Sequence, residues 1–536
     1  MNLEALLAAR LAVALEAVAG EPVDPVVRAS QHADFQSGAA LALARRLGRP
    51  PREIAAEVAA RADLEGLAEV AISGPGFLNL TVADEVLVSL LAEPDSPPPV
   101  GPARVVIDYS GPNVAKELHV GHLRSTIIGD ALARLLSWAG HDVVRVNHLG
   151  DWGTQFGMLI EQMADLGGPA GELSLGDLTG FYQQARLKFD TDDDFRTRAR
   201  LRVVALQSGD EPSRAMWQRL VDQSERHFVA DYERLGITLG RGDFAGESSY
   251  QDQLASIVDE LSGKGLIVES EGALCVFPAG FTGRDGEPLP LIVRKSDGGF
   301  GYAATDLAAL RHRALDLKAD QLLYVVGAPQ STHFRMLFAV GRDAGWLTRA
   351  MPEHIGFGSV LGPDGKMLRT RSGGTVKLAD LLDEADARAT SPAVGIGAIK
   401  YADLSSDRRS DYVFDWDRML AATGNTGPYL QYAVARIRSV LARAAHAPGP
   451  VVLDDPAERR LALTLLGFQP AAAAAIEHRE PHRLAVHLHE VAVAFSAFYE
   501  KCPILSSPSR LGLTARTGRT LRLGLDLLGI PVPERM

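Results

Sequence analysis

The chain has 536 residues, 46% hydrophobic and 23% charged, which excludes a disordered or fibrous protein and is too long for one ordinary core, so roughly two to four domains are expected. A net charge of −12 also excludes a uniformly basic nucleic-acid binder. The charge is uneven, however: residues 416–536 carry 14 Lys and Arg against 10 Asp and Glu, +4 overall, which leaves −16 on everything before them. This favours the C-terminal part as a phosphate-facing surface, although arginines that simply decorate exposed helix faces would give the same count.

Leu3, Leu7, Leu11, Leu15 and Val18 share one face of an amphipathic helix over 3–18, with no cationic leader before it. No apolar run reaches membrane-spanning length, so a cytoplasmic chain without a membrane partner is expected. Helical spacing continues over 33–47 and 51–60, and the run Gly74 to Asn79 reads as a turn entering a short strand. The stretch 93–102, Glu-Pro-Asp-Ser-Pro-Pro-Pro-Val-Gly-Pro, is a stiff linker that closes a small α/β N-terminal domain over 1–100. Strand 105–108, helix 119–138 and strand 143–146 then form a β-α-β unit, the start of a parallel sheet. Further strands are expected at 322–326 and 355–360. A polar helical insertion at about 157–235 and a β-rich patch at 273–293 separate the two halves, so 101–415 is a Rossmann-like parallel-sheet domain with an insertion. Alanine- and leucine-rich helices at 429–445, 458–466, 481–498 and 517–528 make 416–536 an all-α bundle. The fold class is multidomain α/β. Cys275 and Cys502 are too few and too far apart for a disulfide framework or a zinc site.

The most informative segment is Ser110-Gly-Pro-Asn-Val-Ala-Lys-Glu-Leu-His-Val-Gly-His122, which ends where the next helix should begin. His119 and His122 are three apart on the first turn, where free N–H groups and the helix dipole favour a phosphate, and Gly121 permits close approach. Two bland readings compete: a metal pair, for which no remaining ligand motif is present, and capping histidines without chemistry. A second segment, 362–377, reads Gly-Pro-Asp-Gly-Lys-Met-Leu-Arg-Thr-Arg-Ser-Gly-Gly-Thr-Val-Lys. Its glycines and cations suit a triphosphate, and in isolation it is equally a solvated surface loop.

The stretch from Ser110 through Leu136 resembles the signature region of class I arginyl-tRNA synthetases. That resemblance implies a catalytic domain over 101–415 in which His119, His122 and Lys116 stabilise a transferring phosphoryl group. It also identifies Lys366-Met367-Leu368-Arg369-Thr370-Arg371-Ser372 with the family's second signature loop, only part of which is present here. Lys366, Arg369 and Arg371 are its catalytic cations, and the implied ATP-binding set is His119, Gly121, His122, Gly356, Gly358, Val360, Lys366 and Met367. Glu247, Tyr302 and Asp306 match the guanidinium-binding positions, while Asn113 and Gln330 match those that hold the amino acid's backbone groups. Without the resemblance, Glu247 and Asp306 would be plain surface charges. The N-terminal domain is similar to the family's tRNA D-loop-binding domain, with Phe77 and Asn79 as base contacts. The bundle is similar to its anticodon-binding domain, with Tyr429 and Tyr432 as stacking residues.

The expected partners are therefore L-arginine, ATP and tRNA(Arg). Magnesium is expected to arrive with ATP as a substrate complex, without a tightly bound protein metal site. A monomer is expected. The resemblance further implies transfer of arginine to the 2′-hydroxyl of the terminal adenosine and activation that needs bound tRNA.

Overall fold

The computed structural model describes residues 2–166, 175–283, 286–369 and 375–534. In the N-terminal part, helix Leu3–Ala19 buries Leu3, Leu7, Leu11, Ala14 and Leu15, as its spacing requires. It covers a four-stranded antiparallel sheet in the order Val27–Ala29, Phe35–Ser37, Phe77–Val82, Ala68–Ser73. The helix expected over 33–47 starts only at Ala39, because Phe35–Ser37 is a strand paired on both sides. Two strand partners outweigh local helix spacing there.

The central part holds a five-stranded sheet in the order Met351–His354, Gln321–Tyr324, Arg104–Asp108, Asp142–Leu149, Phe244–Gly246, with every neighbouring pair parallel. Val105 and Ile107 enter one hydrophobic cluster while Val106 enters another, so both faces of the strand are covered. That explains its unbroken apolar run. Strand order reverses between Arg104–Asp108 and Gln321–Tyr324, and in open α/β sheets ligands bind at the carboxyl ends of the strands beside such a point.

The strand expected over 355–360 is corrected: the sheet strand is Met351–His354, and only Val360–Leu361 forms a separate short pair, with Tyr412–Val413. The intervening backbone is used elsewhere, since Gly358 N–H donates to the Arg408 carbonyl at 2.9 Å and Ala328 N–H to the Phe357 carbonyl at 3.1 Å. Between the sheet halves lie helices Gln155–Asp165, Leu175–Thr191, Asp193–Gln207 and Glu211–Leu235, then a small antiparallel sheet of Leu291–Arg294, Ala273–Val276 and Val268–Ser270.

The C-terminal helices are Gly427–Arg443, Pro456–Leu466, Phe468–Glu477, His482–Lys501 and Pro508–Leu527. The last begins nine residues before the expected 517, because Ser507 caps it and Pro508 opens it. One continuous apolar cluster runs from Ile107 and Leu123 of the sheet and its first helix to Leu430, Phe495 and Leu525 of the bundle. The N-terminal part keeps its own core, against which Leu453 and Leu463 of the C-terminal part pack. Two arginines clasp this contact. Arg459 binds both oxygens of Asp34 at 2.7 and 2.8 Å and Asp84 at 2.8 Å, and Arg516 binds both oxygens of Asp95 at 2.6 Å.

Candidate active site

The five parallel strands end at one cleft. Asn113, Lys116 and His119 follow the first strand, Asp151 the second, Glu247 the third, Gln330 the fourth, and Gly356 and Gly358 the fifth. Chain segments far apart in sequence therefore meet at one end of the sheet.

His119 is the N-cap of helix Val120–Trp138 and not a residue of its first turn, as the spacing alone implied. Its Nδ1 accepts from Gly121 N–H at 3.0 Å, and His122 Nδ1 accepts from His119 N–H at 3.2 Å, so the two rings form a reciprocal cap with centroids 4.0 Å apart. A Cβ on residue 121 would lie 2.7 Å from the His119 ring, which is why glycine stands there. Burial lowers the pKa of His119, with the nearby Lys116 charge adding to it, and burial pushes His122 down to about 3, with His119 next in effect. Both rings are thus neutral, and with Nδ1 accepting, the proton sits on Nε2. Each histidine offers one N–H donor to an oxyanion at the end of a helix whose dipole already favours it. The capping and phosphate readings are therefore compatible, because they use opposite ring nitrogens.

Lys116 stands 4.8 Å from the Tyr182 ring centroid, so a helix of the insertion flanks the signature segment. The second loop folds as a hairpin: Gly362 N–H donates to Lys366 O at 2.7 Å, Leu368 N–H to Val360 O at 3.0 Å, and Leu361 bridges Met367. Lys366, Met367 and Arg369 are exposed on it, and Arg371 lies outside the described residues. A Cβ on residue 358 would meet the Ser410 backbone at 2.7 Å, which keeps the base of the loop close to the segment before Tyr412. The loop's exit is stitched to the histidine segment, since Val120 N–H donates to Val376 O at 3.0 Å, Leu378 N–H donates to Leu118 O at 2.9 Å, and Lys377 pairs with Glu117 at 2.8 Å.

Glu247 opens a short 3-10 turn after its strand. Burial first, and the Asp306 and Asp151 carboxylates next, push its pKa up to about 8. Each of these causes acts in the same direction. Among the described residues no group of three or more His, Cys, Asp or Glu could hold a metal ion. Paired carboxylates such as Glu247 and Asp306 suit a planar organic cation. Tyr302 and Asp306 lie one turn apart on helix Tyr302–Arg311, and Tyr302 is 69% exposed at its start. Asn113 is exposed on a segment tied to Gly150 by Val114 N–H to Gly150 O at 3.0 Å, and Gln330 is exposed at the end of the turn Ala328–Gln330.

Several residues at this cleft carried no local signal. Asp151 accepts from Ser248 N–H at 2.8 Å and from its hydroxyl at 2.6 Å. Arg313 is buried and donates to Asp108 at 2.7 Å. Arg124, also buried, donates to Ser410 O at 2.8 Å and lies 5.2 Å from the Tyr412 ring centroid, joining the histidine helix to the base of the second loop. A charge inside an otherwise apolar helix, as at Arg124 and Asp130, is the one hint that the sequence offered.

The residues read as tRNA contacts lie away from the cleft. Phe77 and Asn79 are half-buried on strand Phe77–Val82, and the Asn79 amide accepts from Gln36 Nε2 at 2.7 Å and donates to Ser73 Oγ at 3.0 Å. Tyr429 is engaged in the bundle, its hydroxyl 3.1 Å from Ser496 Oγ. Tyr432 is 43% exposed, and the Arg436 guanidinium sits 4.7 Å from its ring centroid and 5.1 Å from that of Tyr499. Arg436 and Tyr499 of this stacked group were not singled out from the sequence.

Residues 100–416 match the family model described as tRNA synthetases class I (R), catalytic domain. Residues 430–536 match the DALR anticodon binding domain, and residues 2–82 match the arginyl tRNA synthetase N terminal domain. The chain is 51% identical to an arginine–tRNA ligase of Thermobifida fusca (strain YX), over 99% of each chain. Among solved structures it is similar to the arginyl-tRNA synthetase of Plasmodium falciparum, with 28% identity, 99% of each chain covered and a TM-score of 0.85. It is also similar to that of Thermus thermophilus, with 27% identity, 99% of this chain and 100% of that one covered, and a TM-score of 0.83. A reversing parallel sheet, paired neutral histidines at a helix N-terminus and an acidic pocket thus occur in a chain that, by these matches along its length, belongs to the class I arginyl-tRNA synthetase family.

Proposed function

We propose that the strand-end cleft activates L-arginine with ATP and then charges tRNA(Arg), with the labour divided among the residues described. The observation that carries this reading is the acidic pocket of Glu247, Asp306 and Asp151, at the same ends of the parallel strands as the start of the histidine helix. Glu247 and Asp306 take the guanidinium, Tyr302 covers it from the start of its helix, and Asn113 and Gln330 hold the α-amino and carboxylate groups. An arginine carboxylate oxygen attacks the α-phosphorus of ATP, the bond to the β-bridging oxygen breaks, and pyrophosphate leaves. His119 and His122 donate Nε2–H to the phosphoryl oxygens, and Lys116 with Lys366 and Arg369 offsets the growing negative charge; Arg371 shares that role. Gly121, Gly356, Gly358, Val360 and Met367 shape the nucleotide's walls.

The 2′-hydroxyl of the terminal adenosine then attacks the arginyl carbonyl and AMP departs, without a covalent enzyme intermediate. Positioning and electrostatics supply the rate. Magnesium arrives on the triphosphate as part of the substrate. Phe77 and Asn79 meet the tRNA elbow, Tyr429 and Tyr432 the anticodon loop, and one chain suffices as a monomer in the cytoplasm. The test is aminoacylation of total tRNA with arginine and ATP. Charging with arginine and not with lysine is expected, and charging with neither would refute the reading.

A further inference from the structure

Asp306 has a histidine on each side. Its Oδ2 receives His333 Nε2 at 2.7 Å, and its Oδ1 faces His148 Nε2 at 3.8 Å. A carboxylate only accepts, so His333 donates its Nε2–H. His148 is oriented by a separate chain. Arg313 Nη1 donates to Asp108 Oδ2 at 2.7 Å, and Arg313 Nη2 lies 3.5 Å from His148 Nδ1. A guanidinium only donates, so Nδ1 accepts and the proton of the neutral ring is on Nε2, the buried nitrogen that has no hydrogen-bond partner and is directed at Asp306. His333 also touches a second residue of the pocket, because its ring centroid is 5.1 Å from that of Tyr302. It sits on the first turn of helix Ser331–Asp343, three residues after Gln330.

We infer that His333 is a positioning residue that fixes the Asp306 carboxylate for the arginine guanidinium, while the Asp108–Arg313–His148 chain sets the limit on its other oxygen. The inference rests on the reading of Asp306 as a guanidinium partner. A planar guanidinium rewards a carboxylate held in one plane, whereas an unrestrained aspartate must lose rotational freedom on binding. With Oδ2 occupied by one N–H, Oδ1 keeps its lone pairs for the substrate.

The test compares His333→Ala, His333→Gln and Asp306→Asn in steady-state aminoacylation by the full chain, with arginine and ATP varied separately. Losing a hydrogen bond to a charged group is expected to raise the arginine KM about tenfold or more in His333→Ala, with the ATP KM and kcat within about threefold of the parent. His333→Gln, whose Nε2 can reach the same oxygen, should recover most of the loss. If His333→Ala does not fold, His333→Asn serves instead, since its shorter amide falls short of Asp306 and should raise the arginine KM likewise. An unchanged arginine KM in these variants, alongside a raised one in Asp306→Asn, would overturn the positioning role and leave the site reading standing. An equal rise for ATP and arginine without rescue by Gln would also overturn it, as a structural effect. No effect of Asp306→Asn would refute the site itself.

Discussion

Arginine should bind about fiftyfold more tightly at pH 8 than at pH 6, because Glu247 must lose a proton before it can pair with a guanidinium. In the empty cleft its pKa stands at about 8, raised by burial and by the Asp306 and Asp151 carboxylates. At pH 6 about one site in a hundred has Glu247 ionised, and at pH 8 about half do; apparent affinity scales with that fraction. Once bound, the guanidinium supplies the missing positive charge and keeps the carboxylate ionised. His119 and His122 do not confuse this window, since their surroundings lower both pKa values.

Calorimetric titration with arginine alone, in buffers of different ionisation enthalpy, measures both the affinity and the proton released, about one per arginine at pH 7. Glu247→Gln should bind weakly and without this slope. Arginine affinity that is flat from pH 6 to 8 in the parent, or an equal slope in Glu247→Gln, would refute the reasoning. The sign for stability is opposite. The folded pKa lies above the ordinary 4.5, so between these values the unfolded chain is ionised while the folded one holds its proton, and this group makes the empty protein less stable as pH rises to about 8. Added arginine should recover that loss in a melting experiment.

Three further outcomes are expected. His119→Ala or His122→Ala should lower the rate of arginine-dependent exchange of pyrophosphate into ATP by about a hundredfold, as for one lost oxyanion donor, and near-normal rates in both would remove the histidines from the chemistry. That exchange should be weak without tRNA and strongly stimulated by it, and Tyr432→Ala should raise the tRNA concentration required, a lost stacking contact costing about 1 to 3 kcal/mol; full exchange without tRNA would disconnect bundle from cleft. Arg459→Ala leaves the Asp34 carboxylate with only the Val82 N–H and no cation, and should destabilise the contact between the N-terminal and C-terminal parts by about 3 kcal/mol, seen as faster proteolysis in 93–103, whereas parental protease resistance would mean that apolar contacts alone hold them together.

Part of the architecture was legible locally. A buried parallel strand needs an apolar run, a capped helix start needs small and polar residues at set positions, and both requirements act within about twenty residues of 105–122. The amphipathic first helix and most of the bundle were readable for the same reason, since 3.6-residue spacing belongs to the helix itself. The local rules failed where a distant partner decided: Phe35–Ser37 became a strand because Leu78–Leu80 pairs with it, and Phe357 left the sheet to meet the turn at 327–328.

The acidic pocket shows the same division more sharply. Glu247 and Asp306 could be named by resemblance, but their proximity, the burial that raises Glu247, and the histidines aimed at Asp306 arise only when segments from 148 to 333 converge at the strand ends. Asp34 and Arg459, 425 positions apart, leave no mark on each other's neighbourhood. Helix period and turn chemistry depend on adjacent residues and so are written in the chain, whereas the energy of a buried charge depends on whatever the fold brings against it.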